Sequence, residues 1–121
     1  MRIVAHGNRL ASLGQSIVVD VPDGGDAVRL RAPFYRRTIP LRDVASVGVA
    51  ADDGRNHGAV NWFVVGRARS AQGVRLSTGG RARVDIVTTD ERRYGVVVDS
   101  MSQAHRLADA IREGSPDPDI A

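Results

Sequence analysis

The sequence predicts a mainly β fold, in which about seven antiparallel strands form a small, partly open barrel that one C-terminal α-helix caps. Three observations support this class. Short segments alternate apolar and polar residues, most clearly at residues 82–88 and 93–99. Polar turns that contain Gly, Pro or Asp separate these segments. Residues 100–114 then repeat apolar side chains at steps of three and four, which is the period of an amphipathic helix.

The C-terminal helix has the clearest signals. Ser100 begins it, with Gln103 three residues later in the spacing of a capping box. Gly114 and Pro116 end it. We expect its apolar face to close one end of the barrel, because about 13 helical residues span roughly 20 Å. That face consists of Met101, Ala104, Leu107, Ala108 and Ile111.

The other strands are expected before residue 82. Residues 2–6 are predicted as a short strand that Gly7-Asn8 turns into a hairpin with residues 9–13. Residues 44–51 are predicted as a strand, with a helical start at 41–45 as the alternative. Strands that follow one another through short turns are typical of an antiparallel meander. The remaining expected strands are residues 15–21, 27–32, 34–39, 60–65 and 74–78.

The length of 121 residues is enough for one core. We expect a single domain over residues 1–113, in which 1–14 are an N-terminal extension or an extra hairpin, and a disordered tail at 114–121. The longest uncharged run, residues 56–66, is shorter than the ~20 residues of a membrane-spanning helix. Because the N-terminus also lacks the apolar run of a signal peptide, we expect a cytoplasmic protein, with peripheral membrane attachment as the alternative.

The composition excludes several kinds of chemistry. The chain has no cysteine, so it has no disulfide, thiolate ligand or cysteine nucleophile. His57 lies near Asp52 and Asp53, but the spacing matches no calcium loop, and these residue types are typical of plain turns. The sequence has no G-x-S-x-G elbow, and adjacent carboxylates in turns are solvated. We therefore expect no enzymatic activity, no cofactor and no metal site.

Charge is unevenly distributed along the chain. The 17 basic residues are all arginines, and the net charge of +3 is mild for a nucleic-acid-binding protein. Residues 54–84 contain no acidic residue, so their arginines are a candidate surface for anionic membrane lipid, a phosphorylated ligand or RNA. The alternative, which the mild net charge favours, is a solvated strand edge that charge protects from pairing. The candidate anion-binding residues are Arg67, Arg69, Arg75, Arg81 and Arg83.

Two adjacent aromatic residues, Trp62 and Phe63, lie in the longest uncharged run. Neighbouring residues of a strand point to opposite faces, so one of the two would point outward beside Val65. Such a surface would serve partner binding or self-association. If the segment instead folds over an end of the barrel, both rings pack in the core.

The order of the elements resembles the pleckstrin-homology-like (PH-like) domains of bacterial proteins. Two segments carry the resemblance: residues 35–47 (YRRTIPLRDVASV), with the pattern strand, turn and strand, and residues 77–86 (STGGRARVDI), which lead into the last hairpin and the helix. The resemblance implies a scaffold that binds lipids, peptides or copies of itself and is rarely catalytic. Phosphoinositide-binding members place basic residues in the first turn, whereas residues 22–26 are acidic here, so no lipid site is carried over.

Together these observations predict a non-enzymatic interaction module that binds a protein partner or forms a homo-oligomer. Binding would use strand addition, or a groove, beside the last strand and the helix. The alternative function is binding of an anionic surface through the five arginines named above, an interaction that salt would weaken. Nucleic acid is not an expected partner, because aromatic stacking residues are scarce, and no small-molecule substrate is predicted.

Overall fold

Nine strands and one α-helix make up the part of the chain that the computed structural model describes, residues 1–6, 16–22, 25–32, 35–52, 64–65, 73–77 and 79–114. The prediction of a mainly β fold with a C-terminal helix is confirmed. Each strand overlaps a segment predicted to be extended, and the fourth runs one residue further, to Pro40, although only about seven strands were expected to form the barrel. The strands form two sheets, and no strand pairing among the described residues joins them, so they do not make a closed barrel.

The first sheet is an antiparallel meander of four strands in chain order. The strands are β1 (Arg2–Ala5), β2 (Ile17–Asp20), β3 (Ala27–Ala32) and β4 (Tyr35–Pro40). β1 pairs with β2, so residues 2–5 belong to the sheet. The hairpin partner predicted at residues 9–13 lies outside the described residues. Buried residues alternate with exposed ones along β3, which places its arginines on the outer face of the sheet.

The second sheet follows a single 3-10 turn at Leu41–Asp43. Its five strands are β5 (Val44–Ala51), β6 (Val64–Val65), β7 (Val74–Leu76), β8 (Ala82–Thr88) and β9 (Arg93–Val98), in the spatial order β5-β8-β9-β7-β6. β7 and β9 run parallel, and β9 lies between β7 and β8. The expectation of a purely antiparallel meander is therefore wrong in this sheet. The alternation of residues determines which face of a strand is buried, but it does not determine which strands are neighbours.

Gly80 allows the connection from β7 to β8 to pass close to the end of β9. The Arg81 amide donates to the carbonyl oxygen of Val98 at 3.1 Å. A Cβ atom on residue 80 would lie only 2.1 Å from that oxygen, so any side chain there would force the two segments apart. Glycine at this position therefore lets β9 occupy the place between β7 and β8.

Helix α1 (Met101–Gly114) packs against β5, β8 and β9 of the second sheet. Its buried side chains join those of both sheets in one hydrophobic core, as predicted for Ala104, Leu107, Ala108 and Ile111. Met101 belongs to the predicted apolar face, but it is 41% exposed. The prediction is wrong for this residue because Met101 begins the helix and lies at the rim of the core.

The N-terminus of α1 is capped as the sequence predicts. The Gln103 amide donates to Ser100 Oγ at 3.2 Å. Gln103 Oε1 in turn accepts the amide of Asp99 at 2.9 Å, one residue before the cap rather than at Ser100 itself. The first bond satisfies a main-chain donor of the first helical turn, and the second satisfies the main-chain donor of the residue before the cap.

Ser100→Ala is expected to lower the free energy of unfolding by about 1 kcal/mol, because it removes the acceptor of the Gln103 amide. Urea denaturation followed by circular dichroism measures the difference. Ser102→Ala is the matched control, since Ser102 is exposed in the first helical turn and alanine favours helix formation. Equal losses in the two variants would contradict the capping role of Ser100.

Candidate functional site

Asp52 is a buried carboxylate that binds two arginines. It directly follows β5, and its amide donates to the Arg81 carbonyl oxygen at 2.9 Å. Its side chain is 2% exposed. Arg75 of β7 donates to both carboxylate oxygens, from Nη1 at 2.6 Å and from Nη2 at 2.7 Å. Arg83 of β8 donates to Asp52 Oδ2 from Nη1 at 3.1 Å. Arg83 also donates to Asp85. The Asp52 cluster consists of the side chains of Asp52, Arg75, Arg83 and Asp85.

The pairing register of the second sheet brings the Asp52 cluster together. Arg75 of β7 lies opposite Gly95 of β9, which in turn lies opposite Asp85 of β8. Because Gly95 has no side chain, Arg83 and Asp85 lie over it. A Cβ atom there would be 3.2 Å from Arg83 Cδ and 3.3 Å from Asp85 Oδ1. Arg83 and Asp85 alternate along β8 with buried core residues, so the cluster lies on the face of the sheet away from α1.

Charge is balanced within the Asp52 cluster. Two guanidinium groups face two carboxylates, since Arg83 Nε donates to Asp85 Oδ1 at 2.8 Å. Burial acts to lower the pKa of Arg83, but the hydrogen bonds and charges of Asp85 and Asp52 outweigh it, and that pKa is raised above its usual value. A buried carboxylate is stable only when it is paired and hydrogen-bonded. The cluster therefore acts as an internal ion-pair network that ties β7 and β8 to the end of β5.

Two of the five candidate anion-binding arginines, Arg75 and Arg83, are thus bonded to carboxylates. Arg81 is exposed just before β8, and its main chain joins the ends of β5 and β9. Arg67 and Arg69 lie outside the described residues. Anion binding by the five candidate arginines stays a prediction. Arg75 and Arg83 would have to release their carboxylate partners before they could bind an anion.

The candidate self-association residues are mostly outside the described ranges. Trp62 and Phe63 lie there. Val65 is in β6, where its main chain pairs with Arg75 of β7. The binding role of these three residues stays a prediction.

Sequence reasoning missed Asp52 as the ion-pair partner of Arg75 and Arg83. The sequence does contain a signal for this pairing. Asp52 and Asp53 are the last acidic residues before the acid-free stretch 54–84, so they are the nearest upstream counter-ions for its arginines. The sequence does not show that the fold buries the Asp52 carboxylate.

A second group of polar side chains lies on the inner face of β4. The guanidinium carbon of Arg37 is 6.0 Å from the centre of the Tyr94 ring, at the limit of a cation–π contact. Arg37 Nε is buried and has no hydrogen-bond partner among the described residues. Tyr35 lies two residues away on the same face. Its pKa is raised chiefly by burial and also by Tyr94, against the opposing effect of Arg37 and Arg92.

The raised pKa of Tyr35 predicts a loss of stability in alkaline solution. The folded protein holds the phenol proton more tightly than the unfolded chain, so this contribution is complete below about pH 10 and is lost as the pH rises through the folded-state pKa. We expect the free energy of unfolding of Tyr35→Phe to fall less over that range than that of the wild type. Urea denaturation at a series of pH values measures both declines, and identical declines would contradict the prediction.

β4 is an open edge of the first sheet. The Leu41 amide donates to the Asp26 carbonyl oxygen at 2.7 Å, which continues the β3–β4 register. Antiparallel ladders alternate, so the main-chain groups of Arg36 and Thr38 point away from β3. Among the residues that the structure describes, none hydrogen-bonds to these groups. The edge therefore offers two N–H donors and two C=O acceptors.

β5 is an edge of the second sheet and is partly occupied. Arg112 of α1 donates from Nη2 to the carbonyl oxygen of Val47 at 2.8 Å, so the helix fills one acceptor of this edge. β9, the last strand, has β8 on one side and β7 on the other. Strand addition to the last strand, as predicted from the sequence, therefore has no open edge to use. Of the strands β4, β5 and β9, β4 therefore has the most open edge.

No family model, curated protein or solved structure matches the chain. Within the described ranges, no three His, Asp or Glu side chains converge in a way that could hold a metal ion. Over the same ranges, no helix has the length and apolar character needed to cross a membrane.

Proposed function

We propose that this protein is a non-enzymatic interaction module that binds a protein partner, or a second copy of itself, by strand addition to β4. The observation that carries the proposal is the outward-pointing main chain of Arg36 and Thr38, to which no described residue bonds. An unpaired strand edge recruits other chains because its donors and acceptors are already aligned. The β5 edge is a weaker candidate, since Arg112 already occupies one of its carbonyl groups.

The proposal includes a PH-like scaffold, and the order of elements supports it. Four antiparallel strands are followed by a turn, a second sheet and a C-terminal helix that packs on that sheet. Two features depart from the expected barrel: the sheets stay separate among the described residues, and β7 runs parallel to β9. The open sheets favour the interaction role, because a closed barrel has no strand edge to offer.

The alternative, an anion-binding surface on the arginine-rich stretch, has weaker support. Arg75 and Arg83 already share Asp52, and Arg83 also holds Asp85. A phosphate would therefore have to compete with a buried carboxylate for Arg75. Withdrawing Arg75 would remove the bidentate partner of a buried carboxylate, which is strongly unfavourable. Liposome and RNA binding at two salt concentrations tests this alternative, since phosphate binding weakens steeply with salt.

Thr38→Pro is the variant that tests the proposed function. The Thr38 amide points away from β3, so proline removes an edge donor and leaves the β3–β4 ladder intact. Thr38→Val keeps the amide and the β-branched side chain, and it is the matched control. Light scattering over a wide concentration range, together with crosslinking to captured proteins, is expected to show an assembly that Thr38→Pro weakens and Thr38→Val retains. A strict monomer that captures no protein, or an assembly unaffected by Thr38→Pro, would contradict the proposal.

A further inference from the structure

Two arginines face each other across β3 and β4 without a carboxylate between them. Arg31 of β3 lies directly opposite Arg36 of β4, and both residues are exposed. They form a non-hydrogen-bonded pair, the kind in which side chains come closest. Like charges directly opposite each other destabilise a sheet. In the part of the chain that the structure describes, neither arginine has an ion-pair partner.

The neighbouring row of the first sheet has its own counter-ion. Arg29 of β3 lies opposite Asp20 of β2. In the row of Arg31, the corresponding position of β2 is Val18. Arg2 of β1 also lies opposite Asp20, so that row keeps one uncompensated positive charge. The row of Arg31 and Arg36 has two arginines and no carboxylate, and it lies beside the outward-pointing main chain of β4.

The open edge fits a polypeptide better than a phosphate or a lipid headgroup. Along β4, the N–H and C=O groups of Arg36 and Thr38 alternate, so acceptors lie between the donors. An anion would gain from the N–H groups and be repelled by the carbonyl oxygens. The main chain of an extended peptide presents both donors and acceptors in the matching order, and so satisfies all of them.

A second copy of this chain fits the same edge poorly. Antiparallel pairing of two β4 strands about a two-fold axis at Arg36 would place the two copies of Arg36 opposite each other. An axis at Arg37 would do the same to the two copies of Arg37. An axis at Thr38 would place Arg36 opposite Pro40, which has no N–H to donate. An acidic strand meets none of these obstacles.

We infer that β4 docks an extended acidic segment of a partner protein, with one carboxylate opposite Arg36. In the added strand, the residue opposite Arg36 forms a hydrogen-bonded pair with it, and its side chain lies on the same outward face. That carboxylate extends the row of Arg31 and Arg36, in which β2 contributes the uncharged Val18, and it offsets one of the two positive charges. The inference rests on the proposed function and names the chemistry of the partner.

Binding of fluorescein-labelled short peptides tests the inference. One peptide alternates glutamate with valine, and its control alternates lysine with valine. We expect the wild-type protein to bind the glutamate peptide and not the lysine peptide. Arg36→Glu is expected to weaken glutamate-peptide binding by about fivefold or more and to confer binding of the lysine peptide. Arg106→Glu is the matched control and should leave binding unchanged, since Arg106 is exposed on α1, which packs against the second sheet.

Further measurements separate the contribution of main-chain hydrogen bonds to peptide binding from the contribution of charge. Thr38→Pro is expected to abolish binding of the glutamate peptide, and inorganic phosphate and phosphatidylserine vesicles are expected not to displace it. Equal binding of the two peptides, no binding of the glutamate peptide, or displacement by phosphate or vesicles would overturn the inference. If the glutamate peptide does not bind but Thr38→Pro still weakens an assembly of the protein, the result contradicts the acidic partner and leaves strand addition to β4 supported. An assembly that Thr38→Pro leaves unchanged contradicts the proposed function itself.

Discussion

Asp52→Asn is expected to lower the free energy of unfolding by about 3–5 kcal/mol. The substitution removes the charge that Arg75 and Arg83 share. Arg75 is only 13% exposed, so water cannot replace the lost bidentate partner. An asparagine amide offers one oxygen and no charge, and its NH₂ group would face a guanidinium. Urea denaturation of wild type and variant measures the loss.

Asp85→Asn is the matched control for this prediction. Asp85 also binds Arg83, but its side chain is 44% exposed, so solvent screens the interaction. We expect a loss of about 1 kcal/mol or less. A second test is the double variant Asp52→Leu/Arg75→Met, which removes both charges and is expected to recover much of the loss. Equal effects of Asp52→Asn and Asp85→Asn would show that burial does not set the strength of the cluster.

Leu107→Ala is expected to lower the free energy of unfolding by about 2–5 kcal/mol. Leu107 is fully buried on the face of α1 that packs against the second sheet. Truncation removes apolar contacts and leaves a cavity that the surrounding strands only partly fill. The same denaturation experiment measures the effect, and loss of α1 contacts also predicts increased exposure of apolar surface.

Met101→Ala is the control for Leu107→Ala. Met101 lies in the same sequence pattern but is 41% exposed, so its truncation is expected to change stability by about 0.5 kcal/mol or less. If the two substitutions had equal small effects, α1 would not contribute to the core in the way described.

The local elements of the fold could be predicted from the sequence because their signals are local. Residues 27–32, 44–51 and 82–88 were expected as strands and have those bounds. The Ser100 cap and the buried face of α1 follow from spacings of three and four residues. Met101 was misplaced because a periodic pattern reports the direction of a side chain and not how far the core extends along the helix.

The pairing of distant strands could not be predicted in the same way. The position of β9 between β7 and β8 depends on the close passage of Gly80 beside Val98, which no local pattern reports. The Asp52 cluster depends on the same arrangement, because Gly95 of β9 leaves the space that Arg83 and Asp85 cover. The arginine-rich stretch can be recognised from composition, whereas the pairing of Arg75 and Arg83 with Asp52 depends on tertiary structure.

The open edge of β4 was likewise not readable from the sequence. Residues 35–40 were expected to be extended, but an edge strand and a central strand differ in their neighbours and not in their own pattern. The charge that distinguishes this edge also depends on register. Arg31 and Arg36 are five residues apart in the chain, and only the β3–β4 pairing places them directly opposite each other.

Native-state hydrogen exchange of the monomer, resolved by NMR at single amides, tests the open edge most directly. The amides of Arg36 and Thr38 are expected to exchange nearly as fast as those of an unfolded chain. The amides of Arg37 and Ile39, which point towards β3, are expected to be protected. Equal protection of all four amides in a protein shown to be monomeric would mean that the edge is already covered, and the proposed docking site would not exist.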